Sequence, residues 1–301
     1  MSQTMLQLVQ QVTSELNLPV PNFVAGNTSQ DVQQILALMN GAGRELVKEN
    51  NWQALEKEYR FYTQYVNATA DTVANDYTIY NVSDTTGLDS TYMVSGYAIN
   101  QDTNVSAVYG DNSVRLNQKA SQSGIQQQIL FAKTEYDMPF DFESITDRTQ
   151  WQKTQHWEML GPEDAQQWQW LKSGYIATGP RVRWRILGGK FQIWPMLNTQ
   201  QYLGFEYRSN AWANSVNGEP KQSFTQDSDT TVLDNRVLVI YTKLKYFQIK
   251  NFDTTALSQD YQRYLSVAKA ADKGGATLSF APYPTQVLIG WANIPDSGYG
   301  T

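Results

Sequence analysis

The stretch TSQDVQQILALMNGAGRELV, residues 28–47, sets the expected fold. Its apolar residues Val32, Ile35, Leu36, Met39, Leu46 and Val47 return at helical spacing, so one stripe of a helix must be buried. Thr28, followed three residues later by Asp31, reads as a capping box at its start. Gly41 and Gly43 cost stability in an isolated helix, and their presence here predicts close approach by another helix. Upstream, Met5, Leu8, Val9, Val12 and Leu16 mark a first helix that stops at Asn17-Leu18-Pro19. The two are expected to form an antiparallel pair. Each can bury only one stripe, so a third partner is required.

A second helix pair is read near the other end. Val237, Ile240, Tyr241, Leu244 and Ile249 mark a long helix, with Asp229-Thr230 as its expected cap. Leu257, Tyr261, Tyr264, Leu265 and Ala268 mark the next, which ends at Gly274-Gly275. Between the pairs the pattern is β-like. Leu55 to Val66 carries Tyr59, Phe61, Tyr62 and Tyr65. From about Thr69 to Ala132 the chain turns rich in Thr, Ser, Asn, Asp, Gly and Val. Short strand-like runs (Tyr77 to Val82, Val105 to Tyr109, Val114 to Leu116, Gln128 to Phe131) alternate there with turn residues, as in an inserted all-β module. Tyr136 to Phe142 returns to the main body. Gly161-Pro162-Glu163 opens a short helix to Ser173 that carries Trp168 and Leu171. Arg181–Leu187 and Lys190–Trp194 flank Gly188-Gly189, a two-residue hairpin signal, and Tyr202 to Arg208 is expected as a third strand.

The expected class is therefore α+β: a helical bundle from the N- and C-terminal helix pairs, a small antiparallel β domain, an inserted all-β module and an extended tail. Residues 1–68 with 133–275 are assigned to the body, 69–132 to the module and 276–301 to the arm. The arm carries one charge, Asp296, yet presents Leu278, Phe280, Tyr283, Val287, Leu288, Ile289, Trp291 and Ile294. Pro282, Pro284 and Pro295 keep it from being helical. Fully extended it reaches roughly 80 to 90 Å, and so apolar a segment needs a groove to lie in. A groove on another subunit is favoured over one on its own domain, with Leu278, Phe280, Pro282, Tyr283, Leu288, Ile289 and Trp291 as the binding residues.

Composition limits the chemistry. Hydrophobic residues make up 41% of the 301, enough for a real core. Charged residues are only 17%, and a polar but weakly charged surface suits assemblies, where a buried charge must be paired. The net charge of −6 disfavours a protein that grips DNA by its phosphates, and suits one past which DNA slides. With no cysteine there are no disulfides, thiol nucleophiles or thiolate zinc sites. Met1 to Gln10 lacks the basic start and apolar core of a signal peptide, and no apolar run approaches membrane-spanning length. The expectation is synthesis in the cytoplasm and no membrane partner.

Candidate catalytic residues are few. His156 is the only histidine and stands near no nucleophile-bearing turn, so packing or surface is the preferred reading. Asp84, Asp89, Asp102 and Asp111 lie in turns without calcium-loop spacing and read as backbone caps. Glu135, Asp137, Asp141 and Glu143 could supply a carboxylate pair for glycoside cleavage, although solvated or amide-bonded acids are the commoner arrangement. Trp151, Trp157, Trp168, Trp170, Trp184, Trp194 and Trp212 crowd the middle of the chain, more as core and interface filling than as sugar platforms. Arg181, Arg183 and Arg185 alternate with Val182, Trp184 and Ile186 on one sheet face, as a solvated face or as a stripe meeting a neighbouring subunit's carboxylates. No cofactor or metal is expected.

Several short motifs carry a resemblance. Gly43-Arg44-Glu45-Leu46 with Trp52 soon after, Met138-Pro139-x-Asp141-Phe142, Gly161-Pro162 before a Trp-bearing helix, and the final helix pair are similar to the head-to-tail adaptors of short-tailed bacteriophages, the tail tubular protein A type. The similarity spans most of the chain outside about Thr69 to Ala132. That module separately resembles a small β repeat of phage structural proteins through Thr86-Gly87-Leu88, Met93-Val94-Ser95-Gly96, Ile99, Thr103 and Val114-Arg115-Leu116. It departs at Thr91, Tyr97 and Gln101, where the repeat favours glycine.

The resemblance implies a non-enzymatic virion protein at the head–tail junction, a homo-oligomeric ring of usually twelve copies beneath the portal. Its helices would pack side by side and its C-terminal segment would engage the portal protein. Its β portion would face the tail nozzle or fibres, and DNA would pass through the lumen without specific binding. The rival reading is a carbohydrate-binding or carbohydrate-cleaving tail protein. A DNA-binding completion factor is disfavoured by the acidic balance.

Overall fold

The computed structural model describes residues 3–173 and 181–273. Helix α1 (Met5–Glu15) begins with a reciprocal cap: Thr4 N–H donates to the Gln7 side chain at 3.0 Å, and Gln7 N–H donates to the Thr4 hydroxyl at 3.3 Å. Helix α2 (Gln30–Glu49) follows. The box expected from Thr28 and Asp31 does not form. Ser29 is the N-cap, without a side-chain bond, and its own N–H is held by the Asn27 side chain at 2.8 Å. After a single 3-10 turn, Gln53–Leu55, come β1 (Glu56–Tyr62), β2 (Tyr65–Thr72), β3 (Thr78–Ile79), β4 (Tyr92–Gly96), β5 (Thr103–Val108), β6 (Val114–Leu116) and β7 (Gly124–Lys133). Next are β8 (Glu135–Asp137), β9 (Phe142–Ile145), β10 (Trp151–Gln152), β11 (Trp157–Glu158) and helix α3 (Ala165–Lys172). Then follow β12 (Arg183–Leu187), β13 (Lys190–Trp194), β14 (Tyr202–Ser209), β15 (Ala213–Asn214), β16 (Pro220–Lys221) and β17 (Thr230–Thr231). Helices α4 (Asn235–Lys250) and α5 (Thr255–Lys273) complete the described chain.

This architecture corrects the expected fold class. The molecule is mostly β, with about 30% strand in several antiparallel sheets, rather than a helical bundle with a small β domain. Long amphipathic helices announce themselves through their period. Six of the strands have only two residues, too short to carry any period, and sequence reading undercounts them.

The four long helices do pack together, with α4 meeting α1, α2 and α5. Their shared core holds Leu8, Val12, Ile35, Met39, Leu46, Leu238 and Leu265, all 2% exposed or less. Burying one such side chain stabilises by about 1.5–3 kcal/mol before entropy is counted. The cap of α4 is Asp234, whose carboxylate accepts from Val237 N–H at 2.9 Å. Asp229, the expected cap, is fully buried. It accepts from Lys221 Nζ and from the N–H groups of Thr225 and Gln226, which fixes the loop before β17.

Two sheets share an aromatic core. In one, β14 pairs with β1 along one edge and with β9 and β10 along the other. In the second, β13 lies between β12 and β8. The Gly188-Gly189 turn forms as read, with φ of 59° and 75°, left-handed values that glycine adopts without strain. The third strand of that hairpin's sheet is β8, however, and Tyr202–Arg208 belongs to the other sheet. Trp184, Phe191 and Phe205 stack in succession between the sheets, with centroids 5.5 and 4.9 Å apart. Helix α3 is capped by Asp164, so Pro162 stands before the helix and not in its first turn.

Residues from Tyr65 to Lys133 build a six-stranded barrel in the order β2-β7-β4-β5-β6-β3. It is nearly closed, because Asp71 and Tyr80 exchange backbone bonds of 2.8 and 2.9 Å across β2 and β3. Alternate residues of β2 point inward and are small (Ala68, Ala70, Thr72), which leaves room for Ile129 and Phe131 opposite. No helix among the described residues is long and apolar enough to cross a membrane.

Candidate functional site

The acidic residues that could have formed a hydrolytic pair are separated by their partners. Asp141 is 1% exposed and accepts from Lys57 Nζ at 2.7 Å, the Tyr207 hydroxyl at 2.8 Å and the Ser209 hydroxyl at 2.6 Å. Burial alone would raise its carboxyl, but these three donors hold it below the usual range. Glu135 accepts from Gln192 at 2.9 Å, Asp137 faces Lys190 at 3.3 Å, and Glu143 faces Lys48 at 3.6 Å. Each acid therefore has its own partner, and Asp141 is a structural tie between β1 and β14.

His156 adopts φ 55° in the exposed turn between β10 and β11. Asp84, Asp89 and Asp111 each accept the N–H two residues on, capping their own turns. Asp102 differs, pairing with Lys172 at 3.1 Å. Among the described residues no group of three or more His, Asp or Glu could hold a metal ion. Trp168, Trp184, Trp194 and Trp212 are buried, Trp151 and Trp157 are half-buried, and Trp170 stands exposed.

The arginine stripe is uneven. Arg181 is exposed ahead of β12. Arg183 donates to the nearly buried Glu163 carboxylate, so its charge is answered within the chain. Arg185 is half-buried opposite Gln192. The arm residues Leu278, Phe280, Pro282, Tyr283, Leu288, Ile289 and Trp291 lie outside the described residues, as do Gly274 and Gly275.

A surface that the sequence reading missed is the outer side of the last two helices. Ile249 and Tyr264 were expected on buried stripes, yet they are 58% and 37% exposed, with Phe252 and Val267 also in solvent. The buried positions of α5 are Tyr261, Leu265 and Ala268, at i, i+4 and i+7. Tyr264 stands three residues after Tyr261, so helical spacing admits it to the stripe, and only the packing of α5 on α4 places it at the exposed margin. The other exposed residues of α5 include Gln259, Asp260, Gln262, Arg263, Ser266 and Ala270.

Carboxylates between the helices are answered internally. Glu15 pairs with Arg236 and Lys243 at 2.7 Å each, Glu45 with Lys245 at 2.7 Å and with the Tyr241 hydroxyl, and Glu49 with the Tyr261 hydroxyl. Partial burial would raise the Glu15 carboxyl, but hydrogen bonds from Lys243, Gln11 and Arg236 prevail and hold it at about 2. The folded value lies below the ordinary 4.5, so the stabilisation is present above pH 4.5 and is lost as pH falls through about 2. Solvent screening limits it to about 1 kcal/mol. Glu15→Gln should therefore flatten the loss of urea stability over that window. An unchanged slope would show that the triad contributes nothing.

No family model matches the chain, and no curated protein matches its sequence.

Proposed function

We propose that the protein is a structural adaptor that joins a phage portal ring to the tail and assembles as a ring through which DNA passes. The observation that carries this reading is the outer face of α4 and α5. It exposes Ile249, Phe252, Tyr264 and Val267 while the carboxylates between the helices are already paired within the chain. Asp260 and Arg263 share this face with Tyr264 and Val267 at helical spacing, so a neighbouring copy that covers it would bury apolar surface and answer one charge of each sign. The short motifs described above supply the prior for a head–tail adaptor. The apolar arm, residues 276–301, is the segment that would engage the portal, with Phe280, Tyr283, Leu288 and Trp291 as anchors. In a ring many modest contacts act together, so each can be weak while the joint is strong. The acidic balance of −6 suits the passage of DNA.

The test is reconstitution with the cognate portal, read by sedimentation and electron microscopy. Full-length protein should form a ring on the portal. Removal of residues 276–301 should leave the circular dichroism spectrum unchanged and abolish portal binding. Val267→Asp combined with Phe252→Asp should weaken assembly at least about tenfold, some 1.4 kcal/mol, without lowering the melting temperature. Undiminished portal binding by the trimmed chain would overturn the role given to the arm. Undiminished assembly of the double variant would overturn the interface.

A further inference from the structure

The barrel meets the body at a cleft of about 250 Å³. One wall is the β4–β5 connection, residues 96–102, and the other is Trp194-Pro195-Met196 at the end of β13. Met93 and Ile99 complete an apolar floor. Trp194 is 5% exposed, and its indole N–H has no hydrogen-bond partner among the described residues. The Gln101 side-chain oxygen, also in the lining, is likewise unpartnered. Asp102 places a carboxylate at the same site, balanced by Lys172 at 3.1 Å.

The connection is held in place before anything binds. Gln118 Nε2 donates to the carbonyls of Gln101 and Asp102 at 3.1 and 3.0 Å. Ser121 N–H donates to the Ala98 carbonyl at 2.9 Å, and the Thr103 hydroxyl to that of Asn100 at 2.7 Å. Gly96 has φ 152°, and a Cβ there would stand 2.5 Å from the Gln128 carbonyl oxygen, so only glycine fits where the connection begins. A rigid wall of this kind lowers the ordering cost of binding.

The unmet groups define the ligand. The indole N–H needs an acceptor and the Gln101 oxygen a donor, while the Asp102 carboxylate, paired with Lys172, has lone pairs left to accept. An anion would face two oxygens, and a hydrocarbon would leave the indole N–H and the Gln101 oxygen unanswered. Hydroxyls both donate and accept. A pyranose ring adds an apolar C–H face to match Met93, Ile99 and Pro195, and the volume suits one ring rather than a chain. We infer that this cleft binds a single neutral sugar ring, the terminal residue of a glycan, through Trp194, Gln101 and Asp102. The inference stands independently of the adaptor reading, because it concerns a different surface.

The experiment is saturation-transfer NMR on the full chain with the methyl glycosides of glucose, galactose, mannose, rhamnose and N-acetylglucosamine, followed by titration of those that respond. At least one should bind. Trp194→Phe, which keeps the ring and removes the N–H, and Gln101→Leu should each weaken it about tenfold or more, while the exposed Trp170→Phe leaves it unchanged. If Trp194→Phe does not fold, the half-exposed Gln101→Leu decides. Absence of transfer from every glycoside, or wild-type affinity in the cleft variants, would overturn the assignment.

Discussion

Gly43→Ala is expected to destabilise the protein by about 3 kcal/mol, in the range of severe overpacking. Helix propensity alone gives the opposite sign, since Ala in place of Gly in a helix interior is worth about 1 kcal/mol of added stability. Packing decides the outcome. A Cβ at residue 43 would stand 2.3, 2.4 and 2.6 Å from three ring carbons of Trp212. That indole cannot easily yield, because it is fully buried, packs edge-on against Phe224 at 4.6 Å and donates its N–H to the Gln222 carbonyl at 2.9 Å. Gly41, two residues earlier, has nothing within 4 Å of its added Cβ, so Gly41→Ala should instead stabilise by up to about 1 kcal/mol. Urea midpoints of the two variants should move in opposite directions. In a Trp212→Phe background the Gly43→Ala penalty should shrink, the non-additivity expected of touching residues. Equal stability of Gly43→Ala and wild type would show that the indole does not depend on this gap.

The same contact shows what the sequence could disclose. Gly41 and Gly43 together predicted the close approach of a helix, but what approaches Gly43 is a tryptophan from the segment between β14 and β15. Local signals were legible. The stripe of α2, the Gly188-Gly189 turn and the buried Trp168 and Leu171 of α3 follow from spacing and backbone chemistry within a few residues. Non-local choices were not legible. That β14 joins β1, β9 and β10 rather than the hairpin before it depends on aromatic packing between sheets, which no single segment encodes. Asp229 and Asp234 are both plausible caps by residue type, and only the tertiary position of Lys221 makes one a buried loop anchor and leaves the other to cap α4. Arg183 could not be separated from Arg181 and Arg185 without Glu163, twenty residues away in sequence. The cleft residues Trp194, at the end of β13, and Gln101, in the β4–β5 connection, lie far apart in sequence, so neither could mark the site alone.

Asp141→Ala is expected to cost about 3 kcal/mol or more, the usual result of removing one member of a buried charge-paired network. Three donors would lose their acceptor: the Lys57 ammonium, 36% exposed and therefore partly rescued by water, and the more deeply placed hydroxyls of Tyr207 and Ser209. The Asn210 N–H bond to the Asp141 carbonyl at 2.8 Å would survive, so the loss belongs to the side chain and not to the chain path. Asp141→Asn keeps the shape and one acceptor oxygen but not the charge, and should cost less than Asp141→Ala. The Asp141 carboxyl is held below its ordinary 3.8, so its contribution is present above that pH and lost as pH falls through the folded value. Wild-type stability should thus drop on acidification more steeply than that of Asp141→Asn. The near-ultraviolet signal of the aromatic core around Phe205 and Tyr207 should weaken together with it. A double cycle with Lys57→Met isolates the ionic part. This set of measurements also separates structure from catalysis. A carboxylate that is 1% exposed and held by Lys57, Tyr207 and Ser209 is out of a substrate's reach, so its loss should lower stability first. A fully stable Asp141→Ala would mean that the network is not what ties β1 to β14.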